Sequence, residues 1–110
     1  MNDQYKNAIS DIESALMGVK WNNEDHTSTL FFFPTSSPGA KGVMRAGDHK
    51  LVFKTPLEYE VFFKDSNPYL HIIDNKKGEV VEYKIEKLSK PLRTLTIIDS
   101  DGNKSNFKYI

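Results

Sequence analysis

The sequence contains no cysteine among its 110 residues. Disulfide bonds, thiolate metal ligands and cysteine nucleophiles are therefore excluded. Long apolar runs are also lacking, since none approaches the roughly 20 residues that a membrane-spanning helix requires. The start shows no signal-peptide pattern. We therefore expect either a cytoplasmic protein or, where an export signal has been removed before Met1, a periplasmic one.

The chain also has no excess of positive or negative charge. The 15 lysine and arginine residues balance the 15 aspartate and glutamate residues, so the formal net charge is zero. Proteins that bind nucleic acid or anionic lipid usually carry a basic excess. We therefore expect no nucleic acid as a partner and, without a long apolar run, no membrane span. The length, with no repeat or linker, predicts a single domain over residues 1–110.

The three histidines are the main candidates for metal binding or proton transfer. His26 and His49 each follow an aspartate in a predicted turn, where neighbours in sequence rarely share a face. His71 lies in a predicted strand and is expected to point away from the side occupied by Leu70 and Ile72. The pattern therefore predicts no metal site and no catalytic histidine.

Three other motifs do not match a known catalytic or ligand-binding site. Residues 35–42 are rich in small side chains but lack the glycine–lysine spacing of a phosphate loop. Residues 99–103 lack the closing glutamate of a calcium loop and predict a hairpin turn. Glu58 and Glu60 share one strand face, which we expect to be solvated. Without a triad or a glycine fingerprint, we predict no enzyme activity and no cofactor.

The chain begins with an amphipathic segment. Four apolar residues recur there at a spacing of 4-3-4: Tyr5, Ile9, Ile12 and Leu16. This spacing predicts a helix over residues 3–17, with Asn2 or Asp3 as the N-cap and Gly18 as the stop. A single helix with one apolar face must pack on another element. We expect it to lie on the sheet as a lid.

From residue 19 onward, short β-forming runs alternate with turn residues. The predicted strands cover residues 19–21, 29–33, 41–45, 50–53, 57–63, 69–73, 79–86, 92–98 and 105–110. Gly78 and Gly102 mark two tight turns. The pattern predicts a mostly β fold. In it, an N-terminal α-helix precedes an antiparallel up-and-down meander of about eight short strands that forms a small barrel.

The chain resembles the lipocalin-like (calycin) barrels, and its last third is similar to small bacterial members of that group. The resemblance covers residues 18–110. It is carried by the lone helix, by Gly18-Val-Lys-Trp21, by residues 82–88 and 94–97, by Asp101-Gly102 and by Phe107. The family usually has Gly-x-Trp before its first strand, so this chain is one residue longer there. The resemblance implies either a barrel around an apolar cavity or a compact accessory domain.

Large aromatic side chains are frequent on the predicted strands. The candidates for lining a ligand pocket are Trp21, Phe31, Phe33, Phe53, Tyr59, Phe63 and Tyr83. The interior of an eight-stranded barrel is only just wide enough for side chains or one small ligand. The same rings can therefore simply fill the core. Because residues 30–33 are all apolar, either Leu30 and Phe32 or Phe31 and Phe33 must face outward and need cover.

Two functions remain open at this point. The first is a non-catalytic binder of a small apolar ligand inside the barrel. The second is a protein–protein interaction module, such as an inhibitor or an immunity-type partner, that uses the loop at residues 34–49 or an exposed sheet face. In either case we expect a monomer or a weak dimer. A sizeable internal cavity would favour the first function, and a filled core with an exposed apolar patch the second.

Overall fold

The computed structural model describes residues 3–25, 27–47 and 56–109. A 3₁₀ turn at Asp3–Tyr5 leads into helix α1, Lys6–Leu16. The strands are β1 Lys20–Asn23, β2 Thr29–Phe32, β3 Gly42–Gly47, β4 Pro56–Lys64, β5 Asn67–Asp74, β6 Glu79–Ser89, β7 Thr94–Ile98 and β8 Lys104–Lys108. The predicted strand at residues 50–53 lies outside the described residues, as do His26 and His49.

The strands pair in chain order, and β1 pairs with β8, so the described strands close into an eight-stranded antiparallel barrel. The predicted mostly β meander after an N-terminal helix is thereby confirmed. Gly78 and Gly102 have φ angles of 67° and 88° in the β5–β6 and β7–β8 turns, as their positions predicted. Asp65 and Ser66, both with positive φ, form a two-residue turn between β4 and β5, which is shorter than the gap between the predicted strands at 57–63 and 69–73.

Helix α1 begins later than its sequence predicted. The first residues form the 3₁₀ turn, which is common at helix N-termini, and Tyr5 occupies the N-cap position. The prediction of Asn2 or Asp3 as N-cap is therefore wrong. Gly18, with a φ of 84°, follows the C-cap Met17 and turns the chain toward β1 as expected. No helix in the described part of the chain is long and apolar enough to cross a membrane.

The apolar stripe of the helix packs on the barrel. Ile9 and Leu16 are 2% and 0% exposed, and Tyr5 and Ile12 are partly buried against the same core. The Tyr5 ring stacks on Phe63, near the end of β4, with ring centroids 4.3 Å apart. Because α1 also leads directly into β1, it lies over the barrel end where β4 ends and β1 begins.

The barrel interior is lined by alternate residues of the strands. Its buried side chains from the strands are Trp21, Leu30, Phe32, Met44, Tyr59, Val61, Leu70, Ile85, Leu95, Ile97 and Phe107. Leu30 and Phe32 thus face inward, and Phe31 and Phe33 face outward. Thr96 is also buried, on the outer side, where its hydroxyl donates a hydrogen bond to Asn106 Oδ1 at 2.8 Å.

Candidate functional site

The structure separates the aromatic residues predicted to line a pocket. Trp21 and Tyr59 are fully buried in the core, and Phe63 and Tyr83 are partly buried against it. Phe31 and Phe33 are on the outer face instead, and Phe53 lies outside the described residues. The described members of the predicted set are therefore divided between the barrel interior and its surface.

Trp21 links the barrel to the helix. Its indole N–H donates a hydrogen bond of 2.8 Å to the carbonyl of Leu16, the last residue of α1. Its ring meets the edge of the Tyr109 ring at a centroid distance of 5.0 Å. Both the ring and the polar atom of Trp21 are thus used by the fold.

Tyr59, like Trp21, is fixed in the core through both its ring and its polar atom. Its hydroxyl donates a hydrogen bond of 2.5 Å to the carbonyl of Phe33. A Cβ added to Gly42 would lie 2.7 Å from the Tyr59 ring, so the ring occupies the space that glycine leaves. Burial, with a smaller contribution from the charge of Glu13, raises the pKa of Tyr59 to about 12. The phenol is therefore a neutral hydrogen-bond donor inside the core.

Glu13 is a buried carboxylate on helix α1, with 6% of its surface exposed. Its Oε1 accepts a hydrogen bond from the Thr35 hydroxyl and its Oε2 accepts one from the Gly39 N–H, both at 3.2 Å. Burial raises the pKa of Glu13, while the two hydrogen bonds act in the opposite direction. This carboxylate therefore fastens the loop between β2 and β3 to the helix.

Sequence reasoning missed Glu13, although a signal was present. The residue lies four positions after Ile9 and three before Leu16, which places it on the apolar stripe of the helix. A carboxylate at such a position needs hydrogen-bond donors. The nearby loop supplies them from Thr35 and Gly39.

Apolar side chains also lie in register on the outside of the barrel. The Phe33 N–H donates to the Val43 carbonyl, Val43 pairs with Glu58, Glu58 with Ile73, and Ile73 with Val80. These five residues, here called the outer row, cross β3, β4, β5 and β6 from the end of β2. At a strand spacing of about 4.8 Å, the row is about 19 Å long.

Most of the outer row is open to solvent. Phe33, Val43 and Val80 are 37%, 47% and 58% exposed, whereas Ile73 is 7% exposed. The Phe31 ring extends the apolar surface through an edge contact with Phe33 at a centroid distance of 5.0 Å. A surface cleft of about 360 Å³ lies in the row, and its lining residues are Val43, Pro56, Leu57, Glu58, Ile73, Asn75 and Lys76.

Charged and titratable side chains next to the row contact one another. Glu82 accepts a hydrogen bond from Lys64 at 2.7 Å and lies 3.0 Å from His71 Nε2. The pKa of Glu82 is lowered, chiefly by Lys64 and then by His71. The His71 ring packs on Phe62 with centroids 4.4 Å apart and points outward as predicted. Across the described residues, no group of three histidine, aspartate or glutamate side chains could hold a metal ion.

The loop at residues 99–103 forms a hairpin turn, as its sequence predicted. Asp99 Oδ1 accepts hydrogen bonds from the backbone N–H groups of Asp101 and Asn103, each at 2.9 Å. The pKa of Asp99 is lowered, chiefly by the hydrogen bond from the Asn103 backbone N–H. The carboxylate is therefore occupied by the turn itself.

Comparison of the chain with protein-family models, with curated proteins and with solved structures finds no match. The structure supports a small antiparallel barrel of eight strands with one N-terminal helix. The buried aromatic core and the outer row are therefore the two features of the barrel that bear on its function.

Proposed function

We propose that this chain is a non-catalytic, lipocalin-like barrel that binds a protein partner through the outer row. One observation carries the proposal. Three exposed apolar side chains, Phe33, Val43 and Val80, lie in one row across the sheet, outside a core that other side chains already fill. The lipocalin-like description rests on the up-and-down barrel, the N-terminal helix and the buried tryptophan at the start of β1.

The interior favours packing over ligand binding. Trp21, Phe32, Met44 and Tyr59 are all fully buried there. The interior of an eight-stranded barrel holds little more than such side chains. Clefts of about 230, 310 and 360 Å³ among the described residues open to solvent. A ligand inside the barrel would have to displace part of the core, whereas a protein that covers the outer row displaces only water.

The outer row departs from the usual pattern of an antiparallel sheet, in which the face away from the core is polar. Contiguous exposed apolar surface is uncommon on proteins that act alone, and it marks binding surfaces. Between the two surfaces that the sequence offered for a partner, the sheet face is favoured over the loop, since residues 42–47 of the predicted loop form β3 and Val43 belongs to the outer row. Thr35 and Gly39 of that loop are bonded to Glu13 and are thus committed to the fold.

Site-specific photo-crosslinking in the natural host tests the proposal. A photoreactive amino acid is placed at Val43 or at Val80, and a control is placed at Leu92, which is 75% exposed in the β6–β7 turn. We expect the same single crosslinked protein adduct from Val43 and from Val80, and none from Leu92. Substituting Val43→Asp in the chain labelled at Val80 should abolish the adduct. Equal adducts from Leu92, or none from the row, would contradict the proposal.

A further inference from the structure

Glu58 is the one charged residue of the outer row, and it lies between Val43 and Ile73. Asn75 Nδ2 donates a hydrogen bond of 2.5 Å to Glu58 Oε1. Among the described residues no cation forms an ion pair with Glu58, and none donates to Oε2. Glu82, by contrast, has Lys64 at 2.7 Å. Among the described residues, hydrogen-bond donors therefore contact only one of the two carboxylate oxygens of Glu58.

A purely apolar partner would fit this row poorly. It would remove water from the Glu58 carboxylate without supplying a countercharge, and burying an unpaired charge is costly. Lys76 lines the same cleft, yet it makes no ion pair with Glu58. A partner that places a cation opposite Glu58 offsets this cost and also donates to Oε2, to which no described residue donates.

Glu58 also disfavours a second copy of the chain as the partner. In a two-fold interface each surface meets an identical surface. A dimer centred on the outer row would therefore bring Glu58 against Glu58 of the other copy. Like charges that face each other across an interface repel and weaken binding.

On the basis of the proposed function, we infer that the partner presents an apolar strip interrupted by one lysine or arginine. That cation enters the cleft beside Glu58 and donates to Oε2, the oxygen that Asn75 leaves free. The flanking apolar side chains of the partner cover Val43 on one side of Glu58 and Ile73 and Val80 on the other. Glu58 thus selects among partners that the apolar row alone would accept.

Selection of random peptides displayed on phage, with the immobilised full chain as target, tests this inference. We expect the selected peptides to carry lysine or arginine between apolar residues. They should bind the Glu58→Gln variant about ten-fold more weakly, because a hydrogen bond to a charged group is lost. Glu58→Lys should select peptides with aspartate or glutamate instead. Glu86→Gln is the matched control, since Glu86 already pairs with Lys104, and binding to it should be unchanged.

The outcomes separate this inference from the proposed function. Apolar peptides without a basic residue, binding the parent chain and Glu58→Gln equally, would overturn the role of Glu58 and leave the row as a binding face. Peptides indifferent to a Val43→Asp, Val80→Asp double variant, or no selected peptides at all, would overturn both. A dimer seen by sedimentation and dissociated by that double variant would also overturn the inference. Unchanged melting midpoints confirm that each variant is folded.

Discussion

The indole N–H of Trp21 lies 2.8 Å from the carbonyl oxygen of Leu16 and donates a hydrogen bond to it. The last carbonyl groups of a helix have no partner within the helix. Trp21 satisfies one of them from the first strand of the barrel. The spacing Gly18-Val-Lys-Trp21, one residue longer than Gly-x-Trp, thus still brings the tryptophan into the core and couples α1 to the barrel.

Trp21→Phe tests this coupling. Phenylalanine retains much of the buried ring but leaves the Leu16 carbonyl without its donor. We expect the free energy of unfolding to fall by about 1–3 kcal/mol, measured by chemical denaturation followed by circular dichroism. Tyr109→Phe is the control, because its hydroxyl also donates to a carbonyl, that of Lys90, but at an exposed site. A loss no larger than that of the control would contradict the role of Trp21.

Truncation of the helix stripe should destabilise the chain according to burial. Ile9→Ala should cost about 2–5 kcal/mol, since Ile9 is 2% exposed and truncation of a buried isoleucine leaves a cavity. Ile12→Ala should cost less, because Ile12 is only partly buried. The exposed Asp11→Ala is the control, and denaturant midpoints give the comparison. Equal effects of all three would mean that the helix is not packed as described.

The fold was predictable from the sequence because its signals are local. The 4-3-4 spacing of the helix stripe predicts which face packs, and Gly78 and Gly102 sit where turns need positive φ. The start of the helix and the length of the β4–β5 turn were less predictable. A 3₁₀ turn and a two-residue hairpin use the same residue types as the longer elements that the sequence suggested.

The candidate site was not predictable, because it depends on the register between strands. In residues 30–33 both faces are apolar, so the sequence alone could not decide which pair enters the core. Val43, Glu58 and Val80 are distant in sequence and meet only through three strand pairings. Shifting one pairing by a residue would place a different set of side chains in the row.

Gly42→Ala should destabilise the barrel although glycine has no unusual φ there. The new Cβ would lie 2.7 Å from both the Tyr59 ring and the Thr35 methyl group. Overpacking of this kind typically costs about 1–3 kcal/mol. The neighbouring Val43→Ala, on the exposed face, should change stability by less than about 0.5 kcal/mol. Thermal melting of the two variants provides the test, and equal midpoints would contradict the close packing of Tyr59.

Glu13 should make stability depend on pH. Because burial raises its pKa above the unfolded value, the folded state binds the proton more tightly. The stability that this group contributes is therefore present below the unfolded pKa and lost as the pH rises through the folded pKa. Glu13→Gln keeps an acceptor for the Gly39 N–H and does not ionise. We expect this variant to gain stability relative to the parent chain as the pH rises above the unfolded pKa of about 4.

Denaturant unfolding at a series of pH values measures that gain. The exposed Glu79→Gln is the matched control for the loss of one carboxylate, and the gain for Glu13→Gln should exceed any change that the control shows. No gain beyond that of the control would mean that Glu13 is no harder to ionise in the folded chain than in the unfolded one.

Small apolar ligands should leave the emission of Trp21 unchanged. Trp21 is the only tryptophan and is fully buried, so a molecule that enters the core should alter its surroundings. To enter, a ligand must displace a side chain such as Phe32 or Met44, and exposing one costs about 1.5–3 kcal/mol. That cost offsets much of what a small ligand gains by burial. A panel of fatty acids, retinoids and haem should therefore give no saturable quenching of Trp21 fluorescence. Unfolding in denaturant is the control, because it should change the Trp21 emission. Saturable one-to-one quenching by any of them would instead place a binding site inside the barrel and contradict the packed interior on which the proposed function rests.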